Sequence, residues 1–221
     1  SAPRSVEELE EQLSRPPADV VEQLAQLDGE ILFLGVGGKM GPTMARMAKR
    51  ALDVAGNPQR VIGVSRFSDP QVRESLAAAG IETIGCDLLD EHAVAALPEA
   101  SHVISMSGFK FGASGNPALT WATNCVLPAQ VCRRFADSSI VTFSTGNVYG
   151  NCPVNRGGSL ETDEPNPIGE YAMAALGRER VYQYFCERLN TPTCILRLNY
   201  ATELRYGVLV DLGAKVMAEQ A

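Results

Sequence analysis

Histidine is nearly absent. The 221 residues contain two, His92 and His102, in unrelated surroundings, which argues against a histidine-based triad or metal centre. The six cysteines (Cys86, Cys125, Cys132, Cys152, Cys186, Cys194) show no C-x-x-C spacing and mostly sit in apolar surroundings. That pattern fits buried, reduced thiols in a cytoplasmic protein better than metal ligands or disulfides, so no metal is expected. No apolar run approaches the ~20 residues of a membrane span, and the N-terminus lacks the basic-then-apolar pattern of an export signal. Nor is there an excess of positive charge. The formal net charge of −7 argues against nucleic acid or an anionic membrane as the main partner. Any anion site must then be local, built from backbone N–H groups and a few arginines. With 45% apolar and 20% charged residues, the composition is that of an ordinary globular chain, long enough for one substantial core.

What is present centres on one stretch, Ile31-Leu32-Phe33-Leu34-Gly35-Val36-Gly37-Gly38-Lys39-Met40-Gly41. A short apolar run, read as a buried parallel strand, ends in glycines and passes into a helical pattern (Met40, Met44, Met47, Ala48, Ala51). Glycines at this turn let the backbone approach a pyrophosphate, and N–H groups at the helix N-terminus hold the anion. Alone, such a loop is weak, because glycines also cap strands and turns.

Before this stretch, Ser5 to Asp28 reads as an acidic helical arm broken at Arg15-Pro16-Pro17, with Asp19 as the expected N-cap of a second short helix through Leu27. Residues 1–29 are taken as that arm and 30–221 as one dinucleotide-binding domain. After the glycine loop, strands are expected at Arg60–Val64, Ile81–Gly85, His102–Gly108, Ser139–Phe143 and Thr193–Leu198. Helices are expected at Pro70–Ala79, Glu91–Leu97, Ala118–Asp137 and Gly169–Leu189. The connections Gly108–Pro117 and Ser144–Pro167 are rich in glycine, proline or asparagine, and the second is long enough to be functional. Strands alternating with helices imply right-handed crossovers: an α/β, Rossmann-type doubly wound parallel sheet with an N-terminal helical extension.

Within this frame the chain resembles the extended short-chain dehydrogenase/reductase family, in its epimerase/dehydratase branch, from Ile31 to the C-terminus. Gly35, Gly38 and Gly41 match the family's G-x-x-G-x-x-G loop, with Gly37 as an extra glycine, so Gly35, Gly37, Gly38, Lys39, Met40 and Gly41 become cofactor-binding candidates. Asp87-Leu88 matches the acidic position after the third strand that contacts adenine in relatives, and Ser105-Met106-Ser107 the loop beside the cofactor ribose. Asn124 matches an asparagine of the long fourth helix. Ser144-Thr145-Gly146-Asn147-Val148-Tyr149-Gly150 resembles the active-site loop, with Thr145 as the substrate-holding hydroxyl and Ser144 and Asn147 beside it. Tyr171, 26 residues after Thr145, fits the catalytic tyrosine, and Arg197-x-Asn199-Tyr200 the strand whose asparagine lines the substrate pocket. The resemblance implies a sheet of order 3-2-1-4-5-6, a bound nicotinamide dinucleotide, and an oxidoreductase, epimerase or dehydratase acting on a sugar-like small molecule.

Elementary chemistry agrees. Hydride transfer at a carbon bearing oxygen needs a proton donor or acceptor at that oxygen, a task a phenol can perform, and a neighbouring hydroxyl would fix that oxygen in place. The end of the second strand carries Ser65-Arg66 where an acidic residue would accept from the ribose of NAD, so NADP is the expected cofactor, with NAD possible. Two departures stand out. The family's Y-x-x-x-K reads Tyr171-Ala172-Met173-Ala174-Ala175, which handicaps oxidation more than reduction and leaves a catalytically degenerate dinucleotide sensor as the alternative. Arg178 and Arg180, further along, read as solvated helix charges. The chain also stops at Ala221, without the family's C-terminal lobe, as a minimal site or a fragment would. A homodimer is expected through the helices after the fourth and fifth strands, along Leu119, Ala122, Val126, Ala129 and Ala172, Ala175, Leu176, Val181.

Overall fold

The computed structural model describes residues 2–109, 115–199 and 207–218. Tyr200 and residues 110–114 of the first glycine-rich connection lie outside them. Six parallel strands, β1 (Ile31–Leu34), β2 (Val61–Ser65), β3 (Glu82–Gly85), β4 (His102–Ser105), β5 (Ser139–Thr145) and β6 (Thr193–Leu198), form one sheet in the order β3-β2-β1-β4-β5-β6. The expected α/β, doubly wound order is the one found. It reverses between β1 and β4, where Ile31 pairs with both Val61 and His102.

Successive residues of β1 face opposite sides of the sheet, and the two resulting layers explain why all four are buried. Leu32 and Leu34 join Ile62, Val64, Val103, Ile140, Leu127, Val131, Phe135 and Tyr182 under α5 (Glu91–Ala95), α7 (Leu127–Arg134) and α8 (Gly169–Leu189). Ile31 and Phe33 join Val36, Ala45, Leu52, Val61 and Leu76 under α3 (Gly41–Ala55) and α4 (Pro70–Ala78).

The arm consists of α1 (Val6–Leu13), capped by the Ser5 hydroxyl accepting from the Glu8 N–H, and α2 (Ala18–Ala25). Both pack on α3, and Asn57 Nδ2 donates to the carbonyls of Leu24 and Leu27 at 2.8 Å each. Asp19 is not the cap of α2. Pro17, already extended, starts the helix without a side-chain cap, and Asp19 sits in its first turn.

The long helix expected at Ala118–Asp137 is instead three pieces: α6 (Pro117–Trp121), a π-helical turn (Ala122–Val126) and α7. Leu127 N–H reaches back five residues to the Ala122 carbonyl. Pro128 supplies the reason, since it carries no N–H for the Asn124 carbonyl and the ladder must skip there. Strand β5 runs two residues further than expected, carrying Thr145 to the end of the sheet. In α8 the boundaries match, yet the buried set is Ala172, Ala174, Ala175, Arg178, Glu179 and Tyr182. Two buried charges on one helix are why its sequence reads as weakly amphipathic. The last described helix is α9 (Val208–Met217).

Candidate active site

A cleft of about 410 Å³ opens along the carboxyl ends of β1, β2, β3 and β4, across the point where the strand order reverses. Gly35, Gly37 and Gly38 line it from β1, Ser65 and Arg66 from β2, Asp87 and Leu88 from β3, and Met106 and Ser107 from β4. Nine of the candidate cofactor residues therefore meet on one rim.

Two glycines make this cradle sterically possible. Gly35 holds φ +79°, and a Cβ there would stand 2.6 Å from the Ser107 hydroxyl oxygen. At Gly41 a Cβ would stand 2.2 Å from the Val36 carbonyl oxygen, so the start of α3 lies directly on the strand end. Met40, at the N-cap of α3, makes no side-chain cap, and Pro42 in the first turn has no N–H to offer. A backbone-walled turn at an uncapped helix start suits an anionic pyrophosphate, so the residues present fit a dinucleotide. Lys39, Met40 and Gly41 shape this turn without lining the cleft.

Sequence reasoning missed several walls: Phe67, Phe109, Leu119, Thr123 and Leu127. Phe67 follows Arg66 at φ +49°, with the Arg73 guanidinium 5.7 Å from its ring centre. No sequence pattern flags that conformation. Thr123 could have been found, since it directly precedes Asn124 in the segment already singled out.

Ser105 behaves differently from its neighbours. It is buried in β4 and its Oγ accepts from the Tyr182 hydroxyl at 2.8 Å, so it serves the core and does not line the cleft. Burial pushes the Tyr182 phenol up to about 12.

The remaining candidates gather around β5 and the start of α8. Thr145 ends β5, and its Oγ1 accepts from the Asn147 N–H at 3.3 Å, capping the 3-10 turn Gly146–Tyr149. Its own O–H remains a donor. Ser144 is buried and its hydroxyl donates to Glu179 Oε1, which commits it to the protein interior. Glu179, 1% exposed, is gripped by Arg197 through Nε at 3.0 Å and Nη2 at 2.7 Å. Arg197 also donates to the Tyr149 hydroxyl at 2.5 Å and lies over the Tyr149 ring. The Glu179 carboxylate beside it raises the Arg197 pKa further. Asn147 and Asn199 are exposed, and Asn199 Oδ1 lies against Gly146, 1.7 Å from where a Cβ would stand. Tyr171 is half-buried in the first turn of α8, which packs on β5 and on the Gly146–Tyr149 turn. Ala175, one turn on, is fully buried.

Arg178 is not the solvated charge its sequence position suggests. It is 6% exposed and donates through Nη1 to the Ser107 carbonyl at 3.1 Å and to Asn124 Oδ1 at 3.0 Å. Asn124, in the π-helical turn, is held in turn by its Nδ2 donating to the Thr120 carbonyl at 2.8 Å. Arg180 is exposed and bonds Gln183. Nor are the thiols uniformly buried. Cys86 and Cys132 are, Cys125, Cys152 and Cys186 are partly covered, and Cys194 is exposed, because β6 is an edge strand whose alternate residues face outward.

The family model of the NAD dependent epimerase/dehydratase family matches residues 31–201, from β1 past the end of β6. The chain belongs to that family. Solved structures share its fold. UDP-glucuronic acid 4-epimerase from Bacillus cereus, in complex with NAD, is 17% identical, with a TM-score of 0.65 over 86% of this chain and 64% of that one. An epimerase-like protein from Burkholderia cenocepacia J2315 is 24% identical, with a TM-score of 0.63 over 86% and 61%. UDP-glucose 4-epimerase from Thermotoga maritima, with UDP-glucose, is 20% identical, with a TM-score of 0.63 over 76% and 54%. The chain thus spans under two thirds of each. No curated protein matches it. Among the described residues, no helix is long and apolar enough to cross a membrane.

Proposed function

We propose that this protein is an enzyme that binds a nicotinamide dinucleotide in the β1–β4 cleft and acts on a sugar-like hydroxyl or carbonyl substrate. The reading rests above all on the cleft itself, a backbone-walled turn at the start of α3 lying where the strand order reverses. A bound dinucleotide would supply the hydride acceptor or donor. Tyr171 exchanges a proton with the substrate oxygen, and Thr145, whose O–H is a donor, hydrogen-bonds the same oxygen. Asn147 and Asn199, exposed beside that turn, contact the substrate's outer hydroxyls. Ser144 acts indirectly, fixing Glu179 beneath β5. The relatives solved with UDP-glucuronic acid and UDP-glucose make nucleotide sugars the first substrates to try.

Ser65 and Arg66 at the rim favour NADP over NAD. Six unpaired cysteines suit a reducing, cytoplasmic setting. A homodimer remains our reading, on a revised face. Ala172 and Ala175 are covered within the monomer, whereas Trp121, Val126, Met173 and Tyr184 on the same helices are exposed. The deciding experiment incubates the protein with NAD(P) and UDP-glucose or UDP-glucuronic acid and follows the sugar by NMR. Epimerised, oxidised or dehydrated product carries the proposal. Tight dinucleotide binding with no turnover across nucleotide sugars and simple carbonyls would overturn the enzymatic reading in favour of a sensor.

A further inference from the structure

The arm precedes the stretch matched to the family, which starts at residue 31, yet it is tied to the helix that forms the cradle. Three consecutive residues of α3 make the connection. Gly41 lies on the Val36 carbonyl at the end of β1, and Pro42 lines a groove beneath α1. The buried Thr43 donates from its hydroxyl to Glu10 Oε2 of α1 at 3.0 Å. A carboxylate of the arm is therefore held at the first turn of α3.

That charge matters because of what α3 lacks. Its first turn, Gly41-Pro42-Thr43-Met44, is without an acid, and Met40 supplies no cap. The helix itself thus offers no side chain to offset the positive end of its dipole. Glu10 brings a negative charge there from another element. A dinucleotide would bring its pyrophosphate to the same helix start, and two anions served by one helix end repel each other. The cations lining the groove are committed elsewhere. Arg46 donates to the Ser75 carbonyl of α4 at 3.4 Å and to its hydroxyl, while Arg50 grips Glu11 and Ser14. The attachment of α1 is also light. Leu9 is its one buried residue, and the rest of its hold is the Glu10–Thr43 bond and the exposed Arg50 fork on Glu11, at 2.8 and 2.7 Å.

We propose that Glu10 sets dinucleotide affinity from outside the cleft, as a built-in anion that opposes the pyrophosphate at the start of α3. The inference rests on the reading of the β1–α3 turn as the dinucleotide cradle. Glu10 touches no ligand and acts through the helix. Docking of α1 and binding of a dinucleotide are then linked with opposite sign. Release of the arm tightens binding, and binding loosens the arm by the same factor.

The test measures NAD and NADP affinities by calorimetry in the full chain, for wild type and Glu10→Gln. The amide keeps the shape and can still accept from Thr43, so only the charge is lost. Both dinucleotides carry the pyrophosphate, and both bind the variant about threefold more tightly at low salt. The gain vanishes in about 1 M NaCl, where screening reaches down to about 3 Å, whereas a packing effect would persist. Hydrogen exchange of the α1 amides reads the link from the other side. Saturating NAD speeds it about threefold in wild type and leaves it unchanged in Glu10→Gln. Equal affinities in the two proteins overturn the proposal, as does weaker binding by the variant, which would make the arm a brace. A gain confined to NADP, or one that survives high salt, overturns it too. If wild type binds neither dinucleotide, the cradle reading itself fails and takes this inference with it.

Discussion

The β1–α3 turn beside the cleft is built of closely packed backbone: Gly35 at φ +79° against Ser107, and Gly41 against the Val36 carbonyl. Around α8 the walls are side chains, with buried Ser144 and Glu179 and half-buried Arg197 and Tyr149 in one hydrogen-bonded chain and Arg178 held separately by Ser107 and Asn124. The two regions suit different tasks. A pyrophosphate is the same in every reaction, so a rigid cradle of amide groups can recognise it. The reacting end must carry or lend charge, which only side chains can do. Stability at the first region should therefore respond to volume, and at the second to charge.

The sharpest way to break this contrast is to leave a charge unpaired beside α8. Arg197→Met strands Glu179, which is 1% exposed, and should destabilise the protein by about 3–5 kcal/mol in urea unfolding. The double variant Glu179→Leu/Arg197→Met, which removes both charges, should recover most of that loss. A double variant as unstable as the single one would show that packing, not charge, matters there.

Volume is the corresponding probe at the cradle. Gly41→Ala places a methyl group against the Val36 carbonyl, a backbone atom that cannot swing aside, and should cost about 3 kcal/mol. Dinucleotide affinity by calorimetry should fall with it. Gly85→Ala, at the end of β3 with nothing within 4 Å of the new carbon, is the control and should leave both stability and affinity unchanged. Equal losses in the two variants would remove the special standing of the turn.

Alkaline pH separates the regions again. Tyr182 and Cys132 have folded-state pKa values raised by burial to about 12, above the values of about 10 and 8.5 expected in the unfolded chain. For groups shifted in this direction the stabilisation is complete below the unfolded pKa and lost as pH rises toward the folded one. Stability should therefore decline from about pH 9 and fall, before pH 12, by about 2 kcal/mol for Tyr182 and about 4 kcal/mol for Cys132, whose shift is larger. In Tyr182→Phe the decline above pH 10 should be shallower. An identical slope in that variant would contradict the assignment.

The same contrast governs what could be read from the chain. The parallel order β3-β2-β1-β4-β5-β6 was legible because apolar runs alternating with helical patterns leave few topologies open. The cradle was legible because only glycine fits where Gly35 and Gly41 stand. Arg178 was not, since its burial depends on the Ser107 carbonyl and Asn124 converging from two other elements, which helix periodicity does not encode. Ser105 and Ser144 were misplaced for a related reason: whether a strand serine faces a ligand or the core depends on a distant partner, Tyr182 or Glu179. The π-helical turn had a local signal in Pro128, whose missing N–H breaks the ladder. The two helices of the arm were visible in outline, but the start of α2 slipped by two residues because Pro17 needs no capping side chain.

The smallest expected effect sharpens the cradle's own chemistry. Arg66 is exposed at the rim, after β2 and beside Ser65, on the cleft that Asp87 also lines. In our proposal a guanidinium there pairs with the 2′-phosphate of NADP, and the hydroxyl of Ser65 donates to it. Asp87 does not oppose this strongly, because one of its carboxylate oxygens already accepts from the Leu89 N–H at 3.0 Å. Arg66→Ala should therefore weaken NADP about tenfold, about 1.4 kcal/mol, while leaving NAD nearly unchanged. The NADP loss should shrink as salt rises, as expected of an exposed charge pair. If wild type binds NAD as tightly as NADP, or if Arg66→Ala weakens both alike, the arginine stacks on the adenine and plays no part in choosing the phosphate.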